Sequence, residues 1–490
     1  MSRLILAFLA PWRFKPFPGS GPRLLRILLL LSSILLVPLP PALGQEAPSP
    51  TPSAPTQEGP PGPPVSPAPG PIGPEVLGPG GPIRAFRFAP VLEERGPLRV
   101  QAFLTVEEEF TDNVNQQKDN RKSEFRTSIA PALAASFERP LATLSFVYAP
   151  RYFLPGNRPD DATLAHNMTL RSSWSPSAQV RLSMAEDLTR STDFRDLEDP
   201  ASRRTGTAGF LRNQAFVEAA YNPPQGRAAL SYTNVLTEND APSADNSLTH
   251  IARADGELTG PRLSLGGTYT LSRGEFDIAS PYWEHTGEAR LRRPLSPTAS
   301  GTLSAGFTHH DEERGQDFIS GRTRIGGSFA LGPDGSLDVS GGAEVFAPRD
   351  SSQTVRPSVS VAWTQRFPLF SLTVRYEDGF QLRFQTVDNT GVTASRSVAL
   401  LLTSLAFRDL TATLGARWTE NRFEQTTTAG GPAGTKDRTW DVDALLRYYI
   451  LRPLSLTLGY TFTIRTSTTP TAEFLENRIR FGLTYQHNIL

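Results

Sequence analysis

From Leu98 to the C-terminus, apolar side chains return at every second position in short runs divided by turn-forming clusters. That period dictates strands with two unlike faces. Leu98, Val100, Ala102, Leu104 and Val106 share one face, with Arg99, Gln101, Thr105, Glu107 and Glu109 on the other. Phe125, Ile129, Leu133 and Phe137 oppose Glu124, Arg126, Ser128 and Ser136. Leu144, Phe146, Tyr148 and Tyr152 oppose Thr143, Ser145 and Arg151. Near the C-terminus Leu454, Leu456, Leu458, Tyr460, Phe462 and Ile464 alternate with Ser455, Thr457, Gly459, Thr461 and Thr463. Ile479, Phe481, Leu483, Tyr485 and Ile489 alternate with Arg478, Arg480, Thr484 and Gln486. A closed barrel with lipid outside and water inside produces such a split.

Soluble sandwiches alternate too, so the connections must decide. Here short and long ones take turns. Glu138 to Pro140, Ser175 to Ala178, Pro223 to Gly226, Gly260-Pro261, Gly332 to Ser336, Arg366 to Leu369, Arg408-Asp409 and Leu451 to Pro453 are short. Thr111 to Ser123, Leu154 to Thr163, Thr189 to Thr205, Glu238 to Ser247, Gln381 to Gly391 and Glu424 to Arg438 are long and polar. Short periplasmic turns and long outer loops are the arrangement of an outer-membrane barrel. Trp174 and Trp363 sit beside short turns, and Trp283, Trp418 and Trp440 toward long loops, as two aromatic girdles would. The expected fold is therefore all-β: a transmembrane antiparallel up-and-down barrel of about 20 strands (roughly 16–20) over residues 96–490. An even count puts both termini in the periplasm. A barrel this large is wide, unless a loop or the N-terminal segment folds into it.

The residues before the barrel read as an export leader and a tether. Arg3, Arg13, Lys15, Arg23 and Arg26 precede the apolar run Ile27 to Val37, and Ala42-Leu43-Gly44 supplies a small-x-small cleavage site. Residues 1–44 thus form a Sec-type signal peptide, because a run of about 11 residues is far short of the roughly 20 that span a bilayer. Residues 45–95 are rich in Pro, Gly, Ser, Ala and Thr, and Pro60-Pro61-Gly62-Pro63-Pro64 offers almost no amide donors. A disordered periplasmic linker is expected there, either a spacer or an arm toward peptidoglycan or a partner.

Composition removes several function classes. Lys+Arg and Asp+Glu both number 49, so no net field favours nucleic acid. Cysteine is absent, which removes disulfides, thiolate metal sites and thiol nucleophiles. GxSxG, HExxH and P-loop patterns are missing, and no catalytic residue, metal site or cofactor is expected. His309-His310-Asp311-Glu312-Glu313 is the densest polar group and reads as the start of a solvated loop. Alternation turns Arg126, Arg151, Arg322, Arg324, Arg375, Arg417, Arg478 and Arg480 toward the lumen, with Arg171 and Arg181. Glu344 and Glu377 face the same way, as do Asp255, Glu257, Glu284, Asp441 and Asp443. These charges either pair across strands and stiffen the wall or guide anionic solutes.

A resemblance appears over residues 104–190. LTVEEEFTDNVN from Leu104, SEFRTSIAPALAASFERPLATLSFVYAPRYF from Ser123 and LAHNMTLRSSWSPSAQVRLSM from Leu164 resemble the opening of the β-barrel outer-membrane porin family of the BBP2 type. Phe110, Asp112, Asn113, Pro131 and His166 are the matching positions. The resemblance implies exopolysaccharide or surface-sorting traffic and carries no catalytic motif. On the residues alone, Asp112-Asn113 reads as an Asx-type turn closing the first hairpin, or as a weak cation site with Glu107 and Glu109. Two function classes follow: a porin-like channel for solute or exopolysaccharide, or a plugged barrel anchoring an envelope complex. Expected partners are outer-membrane lipid, the barrel-assembly and periplasmic chaperone machinery and, on the resemblance, polysaccharide-export components.

Overall fold

A computed structural model describes residues 97–156, 162–193, 209–241, 245–313, 317–349, 352–383, 391–404, 407, 409–425, 434–469 and 472–489. The signal peptide and the Pro/Gly-rich linker read at 1–95 lie outside them. Among the described residues, twenty strands follow one another: β1 (Leu98–Thr111), β2 (Glu124–Arg139), β3 (Ala142–Pro155), β4 (Thr163–Trp174), β5 (Val180–Ser191), β6 (Phe210–Tyr221) and β7 (Gly226–Asn239). Next come β8 (Ser247–Thr259), β9 (Ser264–Phe276), β10 (Tyr282–Ser296), β11 (Ala299–Glu312), β12 (Phe318–Ala330), β13 (Gly335–Pro348) and β14 (Thr354–Arg366). The last are β15 (Phe370–Arg383), β16 (Gly391–Ser404), β17 (Leu410–Gln425), β18 (Lys436–Leu451), β19 (Leu454–Ser467) and β20 (Phe474–Asn488).

Each strand pairs antiparallel with the next, and β1 pairs with β20, so the sheet closes. Closure gives each strand a neighbour on both sides, which a hydrocarbon environment demands. At about 4.8 Å per strand and a tilt near 40°, twenty strands make a ring roughly 40 Å across. The two faces follow the alternation. On β1, Leu104 is 46% exposed on the outer face, while Thr105 and Glu107 are buried on the inner one. The short connections gather at one end, the periplasmic end by the loop rule. There Gly332, at φ +80°, turns β12 into β13, where Leu331 donates to the Gly335 carbonyl at 2.8 Å. A side chain at that φ would be strained.

One ladder has a gap. The β2–β3 register runs Ile129↔Tyr152 and resumes at Leu133↔Tyr148. The missing step sets Pro131 opposite Pro150, and neither carries an amide to donate.

Candidate functional site

The lumen is entered by one of its own hairpins. β14 and β15 pair from Arg366↔Ser371 up to Val359↔Asp378 and no further. Two residues further in that register, Pro357 would stand opposite Phe380. Pro357 has no amide, and the two strands part. β15 and β16 stay paired with each other to Arg383↔Gly391. Along this hairpin Asp378, Phe380, Val392 and Ala394 continue the face that carries Tyr376 and Val398, which lower down looks at lipid. Yet Phe380 packs against Phe346, which stands on the inner face of β13, with ring centroids 5.7 Å apart. Val392, fully buried, joins one cluster with Tyr282, Phe318 and Phe346. Tyr282 on β10 lies six strands from β16, roughly 29 Å around the wall. Val392 reaches that cluster because the upper part of the β15–β16 hairpin bends inward and lays its outer face on the inner wall.

Polar contacts fasten the bend. Glu344 Oε2 accepts from the backbone N–H of Phe380 at 2.5 Å. Its other oxygen accepts from Arg324 Nη2 at 2.7 Å and Ser358 Oγ at 3.0 Å. Asp378 takes Arg356 of the wall at 2.8 Å and Arg396 of its own hairpin at 2.9 Å. Next to them, toward the extracellular strand ends, an aromatic row runs round the mouth. Centroid separations are 6.0 Å from Phe276 to Tyr282, 4.9 Å from Tyr282 to His310, 4.8 Å from His310 to Phe318 and 5.1 Å from Phe318 to Phe346. His310 is thus no part of a solvated loop, as the sequence reading had it. β11 runs through it to Glu312, so His309 turns out to lipid while His310 is buried in the aromatic row, 3.4 Å from Glu284.

The inward arginines fall into three groups. Arg126 bonds Glu109 at 2.6 Å and Asp193 at 2.9 Å, deep in the wall. Arg478 lies 4.0 Å from Glu109, Arg480 stands opposite Glu109 in register, and the Arg151 guanidinium lies over Phe153 at 5.6 Å. On the other side Arg322 bonds Glu288 at 2.7 Å and Arg324 bonds Glu344 at 2.7 Å. Adjacent like charges on β12 are thereby each given a carboxylate. Between the two groups, Arg375 and Arg417 both flank Ala399, Arg417 faces Asp441, and Glu377 stands between Ser360 and Ser397.

Toward the periplasm, the wall from β6 to β13 opens into a concavity of about 960 Å³. Ser264, Gly266, Thr268, Thr302 and Ser328 line it, with the pairs Arg253–Asp255 and Arg290–Glu288. Small hydroxyl residues keep this wall flat, and each of these arginines has a neighbouring acid.

Residues 360–487, from within β14 to β20, match the family described as "Putative beta-barrel porin 2". The match takes in the last strands of the closed antiparallel β-barrel. No curated protein matches the chain. Among solved structures the FrpB iron transporter from Neisseria meningitidis is similar at TM-score 0.50 and 11% identity, covering 80% of this chain and 83% of that one. The siderophore receptor PirA from Pseudomonas aeruginosa has TM-score 0.47 and 11% identity over 80% and 81%. The outer membrane protein opdK from Pseudomonas aeruginosa has TM-score 0.39 and 10% identity over 79% and 98%.

The family match lies at the opposite end of the sequence from the residues that carried the resemblance. Those residues have structural surroundings. Asp112 accepts from the Asn477 backbone N–H and from its Nδ2, both at 2.7 Å, across the β1–β20 seam. Asn113, fully buried, donates to the carbonyls of Gln117 at 2.7 Å and Leu475 at 2.8 Å and accepts from the Gln117 amide at 3.1 Å. Phe110 packs at the lipid face near Phe125, with centroids 6.5 Å apart. Pro131 sits at the ladder gap, and His166 faces lipid beside Tyr148. Sequence reasoning did not single out Pro357, Asp378, Phe380 or Val392. One signal was present: Tyr282, Phe318 and Phe346 occupy inward positions near the extracellular ends of their strands, where alternation calls for polar residues.

Proposed function

We propose that the chain forms a constricted channel across the outer membrane, passing polar solute or exopolysaccharide. The observation that carries this reading is the β15–β16 hairpin bent into the mouth, above a polar concavity of about 960 Å³. A ring roughly 40 Å across needs a constriction to select among solutes, and fixed polar walls supply selectivity. Balanced Arg–carboxylate pairs suit neutral or weakly charged cargo. The family resemblance adds envelope glycan traffic, which makes an exopolysaccharide the polymer to test first. Delivery to the membrane would pass through periplasmic chaperones and the barrel-assembly machinery, with export components docking at the periplasmic end. Of the lumen-facing charges, Arg322, Arg324 and Glu377 above all would then meet the cargo.

Planar-bilayer recording of the purified barrel tests this. Wild type should give small conductance steps, and replacing residues 380–394 by a short Gly/Ser turn should raise them several-fold. If neither protein conducts, the barrel is an anchor rather than a channel. Glycosyltransferase genes beside its own would support the polysaccharide reading.

A further inference from the structure

Three tyrosine–histidine couples of one construction stand on the lipid-facing surface. Tyr148 Oη lies 2.9 Å from His166 Nδ1, Tyr232 Oη 2.7 Å from His250 Nδ1, and Tyr269 Oη 2.7 Å from His285 Nδ1. Each ring pair has centroids 6.2 Å apart. In each, the tyrosine faces Met168, Ala252 or Gly287 on the next strand, and the histidine sits two residues beyond toward the extracellular end. His166, His250 and His285 are each the fourth residue of β4, β8 and β10, and His309 is fourth from the end of β11. All four therefore share one level. From about 3.3 Å per residue and a tilt near 40°, it lies roughly 8 Å below the strand ends, at the upper edge of the apolar band.

A third member completes each couple. The cross-strand neighbour of His166 is Arg190, that of His250 is Arg273, and that of His285 is His309. Arg190 also bonds Asp240 at 2.6 Å, and Arg273 bonds Glu275 at 3.0 Å while lying over Trp283 at 4.9 Å. Each arginine spends one nitrogen on its carboxylate, and the planar fork carries five N–H donors.

The hydrogen bond selects the imidazole tautomer. With the phenol donating, Nδ1 accepts and the ring hydrogen sits on Nε2. Among the described residues none accepts from Nε2 of His166, His250 or His285. Each couple therefore holds out a fixed N–H donor beside a guanidinium or a second imidazole, at the depth where lipid headgroups begin. An acceptor-rich, anionic group satisfies such a row.

We propose that the three clusters, Tyr148–His166–Arg190, Tyr232–His250–Arg273 and Tyr269–His285–His309, seat the phosphate groups of outer-leaflet lipid. The purified barrel in detergent, mixed with bis-phosphorylated lipid A or its dephosphorylated form, tests this by native mass spectrometry. Wild type should retain the phosphorylated lipid at least tenfold better than the phosphate-free one. The variant H166F/H250F/H285F should lose that preference, and H487F, at the periplasmic end of β20, should keep it. If the triple histidine variant does not assemble, Y148F/Y232F/Y269F keeps the rings but frees the tautomer, and should lower retention several-fold. Equal retention of both lipids by wild type, or undiminished preference in an assembled variant, overturns the proposal.

Discussion

Val392 gives the sharpest test of the inward hairpin, because the chain contains no cysteine and Val392→Cys would carry its only thiol. Val392 is fully buried in the aromatic cluster, so a water-soluble maleimide should reach the thiol only when the hairpin lifts. One contact joining wall to hairpin is the bond from the Phe380 amide to Glu344. Glu344→Gln turns the charged acceptor into an amide, whose single oxygen is already claimed by Arg324 and Ser358. A hydrogen bond to a charged group is worth about 1.5–3 kcal/mol. At about 1.4 kcal/mol per tenfold, the lifted population should rise roughly 10- to 150-fold. Labelling of Val392→Cys in outer-membrane vesicles should accelerate by that factor when Glu344→Gln is added, with urea-unfolded protein as the upper limit. Labelling at the unfolded rate without Glu344→Gln, or no acceleration with it, would refute the inward bend and its fastening.

Four further outcomes are expected. Leu458→Arg, on the lipid face, should cost assembly by roughly 2–4 kcal/mol near the midplane, whereas Thr302→Arg in the open concavity should be tolerated; equal loss of heat-modifiable protein in both would contradict the assigned faces. Arg322→Gln with Arg324→Gln leaves Glu344 without its arginine and Glu288 with Arg290 alone, so reversal potentials should shift toward cation preference, most at low salt; unchanged selectivity would make these arginines wall supports alone. Asp112→Ala removes two charge-assisted bonds across the β1–β20 seam and should lower the urea midpoint of barrel unfolding, a reading that an unchanged midpoint rejects. Asp317 is held below the usual carboxylate range by the Glu312 backbone N–H and, next, by Arg349. Its folded pKa is depressed, so its contribution is complete above the ordinary carboxylate pKa and fades as pH falls through the lower folded value. Protease protection of the β11–β12 connection should fall in acid in wild type and lose that pH dependence in Asp317→Asn.

Period-two alternation exposed most of the fold because it records two solvents, and each strand carries that record independently of its neighbours. It assigned Arg322 and Glu344 to one face, and register sets them directly opposite each other. It could not show that Phe380 and Val392 leave lipid for the lumen. Alternation reports which side of a strand a residue occupies and is silent on where the strand itself goes. The bend depends on Pro357, whose missing amide acts on a neighbouring strand and not on its own periodicity. Thr457 shows the same limit: alternation alone makes it a tolerant lumen position, yet it is only 3% exposed and packed within the wall. His309-His310 looked like a loop because five polar residues in a row hide an alternation whose two faces are both occupied by histidine.

The Asp112–Asn477 contact joins residues 365 apart in the chain, against 17 for the hairpin bond between Arg126 and Glu109. Loop-closure entropy grows as about 1.5RT ln n, so bringing the seam together costs roughly 3 kcal/mol more than zipping a hairpin. Nineteen of the twenty strand pairings can grow stepwise from local turns, but the last has no local route and must come late. During synthesis and insertion, β1 and β20 are thus open edges facing each other across an unfinished sheet. Asp112 and Asn113 form a polar end-stop that fixes the register in which these edges meet, since a slip of one residue would part Asp112 from Asn477 and Asn113 from the Leu475 carbonyl together.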